Sequence, residues 1–92
     1  MKYRIAKIVW VDSFDPHGGS WGDLSRLQPQ DYDARCISVG YVMDSPDPAL
    51  LVIAPHISIE ADQRIGQTNG VLCIPRSAIV ADETIFETDN LI

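Results

Sequence analysis

Gly70-Val71-Leu72-Cys73-Ile74-Pro75-Arg76-Ser77-Ala78-Ile79-Val80 decides the fold. Val71 to Ile74 is a short β-branched, apolar run, and Ile79 opens a second one that reaches about Glu87. Between them Pro75 fixes φ and lacks an N–H, so no helix continues through it, while Ser77 can bond the backbone locally. Ile74 and Ile79 therefore flank a tight turn as two apolar plugs of one interior.

Three more extended segments lie upstream. Residues 3–11, Tyr-Arg-Ile-Ala-Lys-Ile-Val-Trp-Val, are β-branched and aromatic with no helix cap and read as the first strand. Its first half alternates, which places Lys2 and Arg4 toward water, and its second half is apolar on both faces, as suits a covered sheet. Arg35 to Met43 has period two, with Ile37, Val39, Tyr41 and Met43 apolar and Ser38 and Gly40 between them. Ala49 to Ala54 is continuously apolar, reads as an interior strand, and is ended by Pro55. The connections are polar: Asp12 to Gly22 is a Gly-rich loop, Asp23-Leu-Ser-Arg-Leu can form one helical turn from an Asp cap, and Asp44-Ser-Pro-Asp-Pro is a turn. His56 to Asn69 is a polar excursion anchored by Ile57, Ile59 and Ile65, a hairpin loop or a ragged strand extension, and Asn69-Gly70 turns the chain into the fourth strand. The expectation is one all-β domain over residues 1–92, a small five-stranded barrel with at most one short helical turn. An open α+β sheet with a helix over 23–30 is the alternative.

Composition excludes several functions. The apolar share of 46% is that of a globular domain, and no apolar run approaches the roughly 18 residues of a spanning helix. The basic start is followed by too short an apolar stretch for a signal peptide, so a cytoplasmic location is expected. Lys2, Arg4 and Lys7 give +3 over the first ten residues, and the remainder, four Arg against thirteen acids, carries −9. Such a surface repels phosphates, which argues against non-specific nucleic-acid binding. Cys36 and Cys73, 37 positions apart in apolar strands, read as buried, reduced, small hydrophobes.

From Ser38-Val-Gly-Tyr41 through Leu50-Leu-Val-Ile53 to Gly70–Val80 the chain resembles the second-to-fifth-strand stretch of Sm-like barrels, and equally that of Src-homology-3-like barrels. In both, a one-turn kink leads into the final strand. The resemblance implies a small barrel. The Sm-like version further implies a nucleotide pocket at the interface between subunits of a homo-oligomer, lined by Arg76 on the kink and by Tyr41 for base stacking. The initial helix of Sm-like domains and the Tyr/Trp groove of Src-homology-3 domains are missing from this sequence. Over its full length the chain also resembles small phage and prophage proteins, through Trp10-Val-Asp-Ser13, Gly18-Gly-Ser-Trp21, Cys36–Tyr41 and Ile74–Ile79. That likeness implies the cytoplasm of a bacterial host and a host protein as partner.

Candidate chemistry is sparse. Asp12, Ser13, Asp15 and His17 share one loop, which permits a metal-dependent hydrolase, but the spacing matches no calcium loop and nothing supplies a nucleophile elbow or an oxyanion hole. The plainer reading has Asp12 and Ser13 satisfying turn backbone and His17 solvated. His56, after Pro55, is a structural histidine partly covered at a strand end, or a ligand contact. Trp10 continues a strand and belongs to the core. Trp21 either closes its loop onto the barrel, the favoured reading, or stands out as a binding anchor. No catalytic set, cofactor or metal site is expected. The leading expectation is a non-enzymatic, homo-oligomeric binding module whose acidic surface suits a basic host protein. A nucleotide binder using Arg76, Tyr41, His56 or Trp21 is the alternative.

Overall fold

A computed structural model describes residues 2–14, 17–28 and 34–92. Seven strands follow in chain order: β1 (Tyr3–Val11), β2 (Arg35–Met43), β3 (Leu50–Ala54), β4 (His56–Ile59), β5 (Ile65–Asn69), β6 (Leu72–Pro75) and β7 (Ile79–Thr88). Five form one antiparallel sheet in the order β6-β3-β2-β1-β7, and β4 and β5 pair separately as a hairpin. The all-β expectation and the five sheet strands hold. The 56–69 excursion is itself a hairpin. It begins where Pro55 breaks β3 away from β2, and it ends at Gly70, whose φ of +75° gives the left-handed bend into β6. Among the described residues there are two short 3-10 turns, Leu24–Arg26 and Arg76–Ala78, where at most one was expected. The first is capped by the Asp23 carboxylate, which accepts from the Ser25 N–H at 3.0 Å. It is a single turn, so the α+β alternative with a helix over 23–30 is not adopted; Pro29 and Gln30 lie outside the described residues.

The connection between β6 and β7 forces the sheet to curl. These are its two edge strands, which in a flat five-stranded sheet would lie at least about 19 Å apart. Only Arg76–Ala78 separates them, and four Cα steps reach at most roughly 14 Å. The curl closes over one face, where Ala6, Ile8, Leu51, Ile53 and Ile74 form the buried cluster and Trp10, Val42, Leu72 and Ile79 pack around it. Among the described residues no ladder joins β6 to β7, so the hydrogen-bonded sheet is not a closed barrel. The turn is pinned from below: the Arg76 N–H donates to the Ala49 carbonyl at 2.9 Å, and Arg76 Nε donates to the Pro48 carbonyl at 3.0 Å.

The register assigns each strand its faces. Ala6 lies opposite Gly40, Ile8 opposite Ser38 and Trp10 opposite Cys36, so the even-numbered residues of β1 and β2 share the core side. The small side chains of β2 thus point inward. Its apolar odd series points outward, with Ile37 67% and Val39 51% exposed. Gly40 is buried because the end of β3 crosses it, and an added Cβ would sit 2.9 Å from the Ala54 carbonyl oxygen. Trp10 is half-buried against the cluster, with Nε1 donating to Ser38 Oγ at 3.0 Å. Arg4 does not face open water as the alternation implied; it lies on the core side and bonds Asp82 across β7. The cysteines are free, but they are not both buried: Cys36 is half-buried and Cys73, on edge strand β6, is exposed. The β1–β7 register slips twice, leaving Val80 and Ile85 as extra residues on β7.

Candidate functional site

The segment between β1 and β2 is anchored where the Asp12 N–H donates to the Ala34 carbonyl at 2.9 Å. His17 to Ser20 is a turn closed by the Ser20 N–H on the His17 carbonyl at 3.1 Å. The His17 ring lies over Gly22 so closely that a Cβ there would overlap it. His17 is accordingly half-buried rather than solvated. With this turn on one side and the Asp23-capped turn on the other, Trp21 is 104% exposed, and Phe14 and Leu24 are exposed on the same segment. The expected closure of Trp21 onto the sheet is not formed.

Of the candidate hydrolase residues, Asp12 and His17 are described. Asp12 Oδ1 accepts from the Ser13 N–H at 2.8 Å, the turn-forming role. Asp15 lies outside the described residues, and among those described no three His, Cys, Asp or Glu side chains are grouped to hold a metal ion.

Arg76 and Tyr41 stand at opposite ends of β3. Pro75, beside Arg76, pairs with Leu50, whereas Tyr41 pairs with Ala54, four residues or roughly 13 Å further along the strand. Within one copy they do not share a pocket. His56 opens β4 opposite Asn69 and is exposed rather than partly covered. It borders a shallow depression of about 260 Å³ with Ile57, Ser58, Gln67, Thr68 and Asn69. A second groove, of about 290 Å³, lies between Ile65 of the hairpin and Tyr3, Val42 and Met43 of the sheet.

The reading of the sequence missed an ion-pair ladder. Lys2, just before β1, pairs with Glu87 at 3.7 Å, and on β1 Arg4 pairs with Asp82 at 2.7 Å and Lys7 with Glu83 at 3.9 Å, so all three cations meet an acid of β7. The signal was available in three cations, at 2, 4 and 7, clustered in the first strand region and three acids, at 82, 83 and 87, clustered in the last. The Arg4 contact is bidentate, with Nη1 and Nη2 donating to the two Asp82 oxygens at 2.7 and 2.9 Å and Nη1 also to Thr84 Oγ1 at 3.2 Å. The Arg4 hydrogen bond, with smaller help from the nearby Arg4 and Arg76 charges, holds the Asp82 carboxyl below its ordinary range; the same hydrogen bond raises Arg4. The Ser25 hydroxyl and N–H lower Asp23 in the same way. Each shift favours the ionised form, which serves structure rather than proton transfer.

The ladder also relocates the charge. Lys2, Arg4 and Lys7 balance Asp82, Glu83 and Glu87, so the whole net −6 resides on the rest of the chain, where four Arg face ten acids. These acids include Asp44 and Asp47 in the β2–β3 turn and Glu60 and Asp62 at the hairpin tip.

No family model, curated protein or solved structure matches this chain. What the geometry offers is contact surface of two kinds: an uncovered tryptophan on the segment between β1 and β2 of a molecule whose other loops are acidic, and an outer sheet face over β1, β2 and β7 that is apolar apart from Lys7, Arg35 and Glu83.

Proposed function

We propose that the protein is a non-enzymatic binding module of the small phage or prophage type, acting in the bacterial cytoplasm on a basic host protein. Trp21 carries this reading: it is 104% exposed on a segment braced on both sides. Tryptophan buries a large rigid area at low entropic cost and is enriched among residues that dominate interface energetics. The acids concentrated away from β1 and β7 supply the complementary charge and would speed encounter with a basic partner. The core side of the sheet is arranged as a small barrel of Sm-like or Src-homology-3-like kind, a reading supported by the kink at Arg76–Ala78 between the two edge strands. No helix among the described residues is long and apolar enough to cross a membrane.

The test is retention of host proteins on the immobilised chain across a salt series, followed by titration of the purified partner. Binding should weaken as salt rises, and Trp21→Ala should weaken it roughly 30-fold, the effect of losing about 2 kcal/mol. A partner whose affinity ignores both salt and Trp21→Ala would overturn the proposal.

A further inference from the structure

The hairpin and the sheet meet at a break in the strand pairing. The β3–β6 ladder ends at Ile53 opposite Leu72, and the β4–β5 ladder starts at His56 opposite Asn69 in the same register. Pro55 and Gly70 would pair between them, but Pro55 has no N–H to give, and the two ladders belong to separate sheets. The peptide from Asn69 to Gly70 therefore lies at the joint. It follows the last paired residue of a two-stranded ribbon, an element that is marginal alone and opens locally. The Asn69 side chain is exposed and makes no hydrogen bond among the described residues. It borders the shallow depression shared with His56, Ser58 and Gln67, where water reaches it. Gly70 is held as glycine by the fold: its φ is +75°, and a Cβ there would lie 3.1 Å from the Pro55 ring. The turn thus keeps the Gly70 nitrogen free of any side-chain cover. The chain has one other asparagine, Asn90, and its surroundings are the opposite. Its Oδ1 accepts from the Ile92 N–H at 3.1 Å, and the branched Leu91 follows it.

We propose that Asn69 is a site of self-modification, at which the Gly70 backbone nitrogen attacks the Asn69 carboxamide and water completes its conversion to aspartate and isoaspartate. Hydroxide takes the Gly70 N–H proton as the nitrogen bonds to Asn69 Cγ. The Cγ–Nδ2 bond then breaks, and Nδ2 leaves as ammonia with a proton from water, which restores the hydroxide. The product of this step is a five-membered succinimide. Water opens that ring at either carbonyl. Attack at Cγ gives aspartate on an ordinary main chain; attack at the main-chain carbonyl gives isoaspartate, whose main chain runs through Cγ and is one methylene longer. In sum one water is consumed and one ammonia released, with no oxidant or cofactor. The reaction needs an uncrowded nitrogen, an unbonded carboxamide and a peptide that can rotate, and the joint supplies all three. Its consequence is also local. A carboxylate appears opposite His56, and the longer main chain of the isoaspartyl form re-aims the hairpin against the sheet in a step that does not reverse to asparagine.

Prolonged incubation of the full, folded chain in mildly alkaline buffer tests the proposal, read by peptide mapping with fragmentation that separates the two aspartyl isomers. Asn69 should convert to both products at least about tenfold faster than Asn90, a barrier difference of about 1.4 kcal/mol. Isoelectric focusing should show one added negative charge, in the position marked by Asn69→Asp. Asn69→Gln should keep the starting charge over the same period, because its longer side chain closes a less readily formed six-membered ring. The urea-unfolded chain supplies the reference for an unconstrained peptide. Asn69 left intact by the folded chain after a time at which the unfolded chain has converted it would show that the joint holds the peptide rigid, and would overturn the proposal. Asn90 converting as fast as Asn69, or Asn69→Gln gaining charge at the wild-type rate, would overturn it equally.

Discussion

Replacing Gly40 by Ala pits two effects of opposite sign against each other. Alanine restricts the unfolded chain and suits a strand better than glycine, which favours the variant by about 0.5–1 kcal/mol. Against this, the new Cβ would lie 2.9 Å from the Ala54 carbonyl oxygen, 3.0 Å from its carbonyl carbon and 3.2 Å from its nitrogen. All three are backbone atoms of a fully buried residue, paired with Tyr41 and followed by Pro55, so they cannot swing aside. Overpacking of this kind costs about 1–3 kcal/mol, and the net expectation is a loss of about 1–2 kcal/mol. Gly66→Ala is the control, because the nearest atoms to its Cβ belong to the movable Glu60 side chain, and it should change stability by less than about 0.5 kcal/mol. Urea unfolding should show a lower midpoint for Gly40→Ala at unchanged slope, and melting should fall by roughly 5–15 °C. A Gly40→Ala protein at least as stable as the wild type would refute the close crossing of β3 over β2.

Asp82→Asn should destabilise the protein by about 0.5–1 kcal/mol at neutral pH, since it removes a bidentate but part-exposed pair. The folded Asp82 pKa lies below its unfolded value of about 3.9, so this stabilisation is fully present above that value and is lost as pH falls through the folded one. The gap between wild type and variant should therefore narrow from about pH 4 downward in an acid titration followed by circular dichroism, and a pH-independent gap would exclude the ion pair as its cause. Ile74→Ala, a truncation at a residue 1% exposed in the buried cluster, should cost about 2–4 kcal/mol in the same unfolding assay. Replacing residues 58–67 by Asn-Gly joins Ile57 to its partner Thr68 through a two-residue turn and should cost under about 1 kcal/mol; unfolding of that variant would show that the hairpin shields the core.

Five strands were legible because each is a β-branched run bounded by Pro, Gly or Asp clusters. The β4–β5 hairpin was not. Its strands mix His56, Ser58 and Gln67 with few isoleucines, and its reversal places Gln63 at φ +70°, a left-handed position that turn rules assign to Gly or Asn. The alternation of β2 was visible, but which face would be buried depends on β3 crossing Gly40, a contact between chain segments that no local pattern encodes. Cys73 came out exposed for a related reason: an apolar run of four residues does not reveal that its strand is an edge. Trp21 and His17 turned on backbone geometry within the loop, where sequence offers only glycine positions. The ladder from Lys2, Arg4 and Lys7 to β7 was latent in the spacing of charges and needed only the pairing of the first strand with the last.

The slips at Val80 and Ile85 have a bearing on behaviour at high concentration. β7 is ten residues long and, among the described residues, paired on one side only, which would make it a template for cross-β growth. Two bulges leave Ala81–Thr84 as its longest unbroken register with β1, and the opposite edge, β6, is four residues ending in proline. An incoming strand meets a kinked, acidic border and cannot zip along it. The molecule can therefore stay free of fibrils while leaving a broad greasy surface open to recognition.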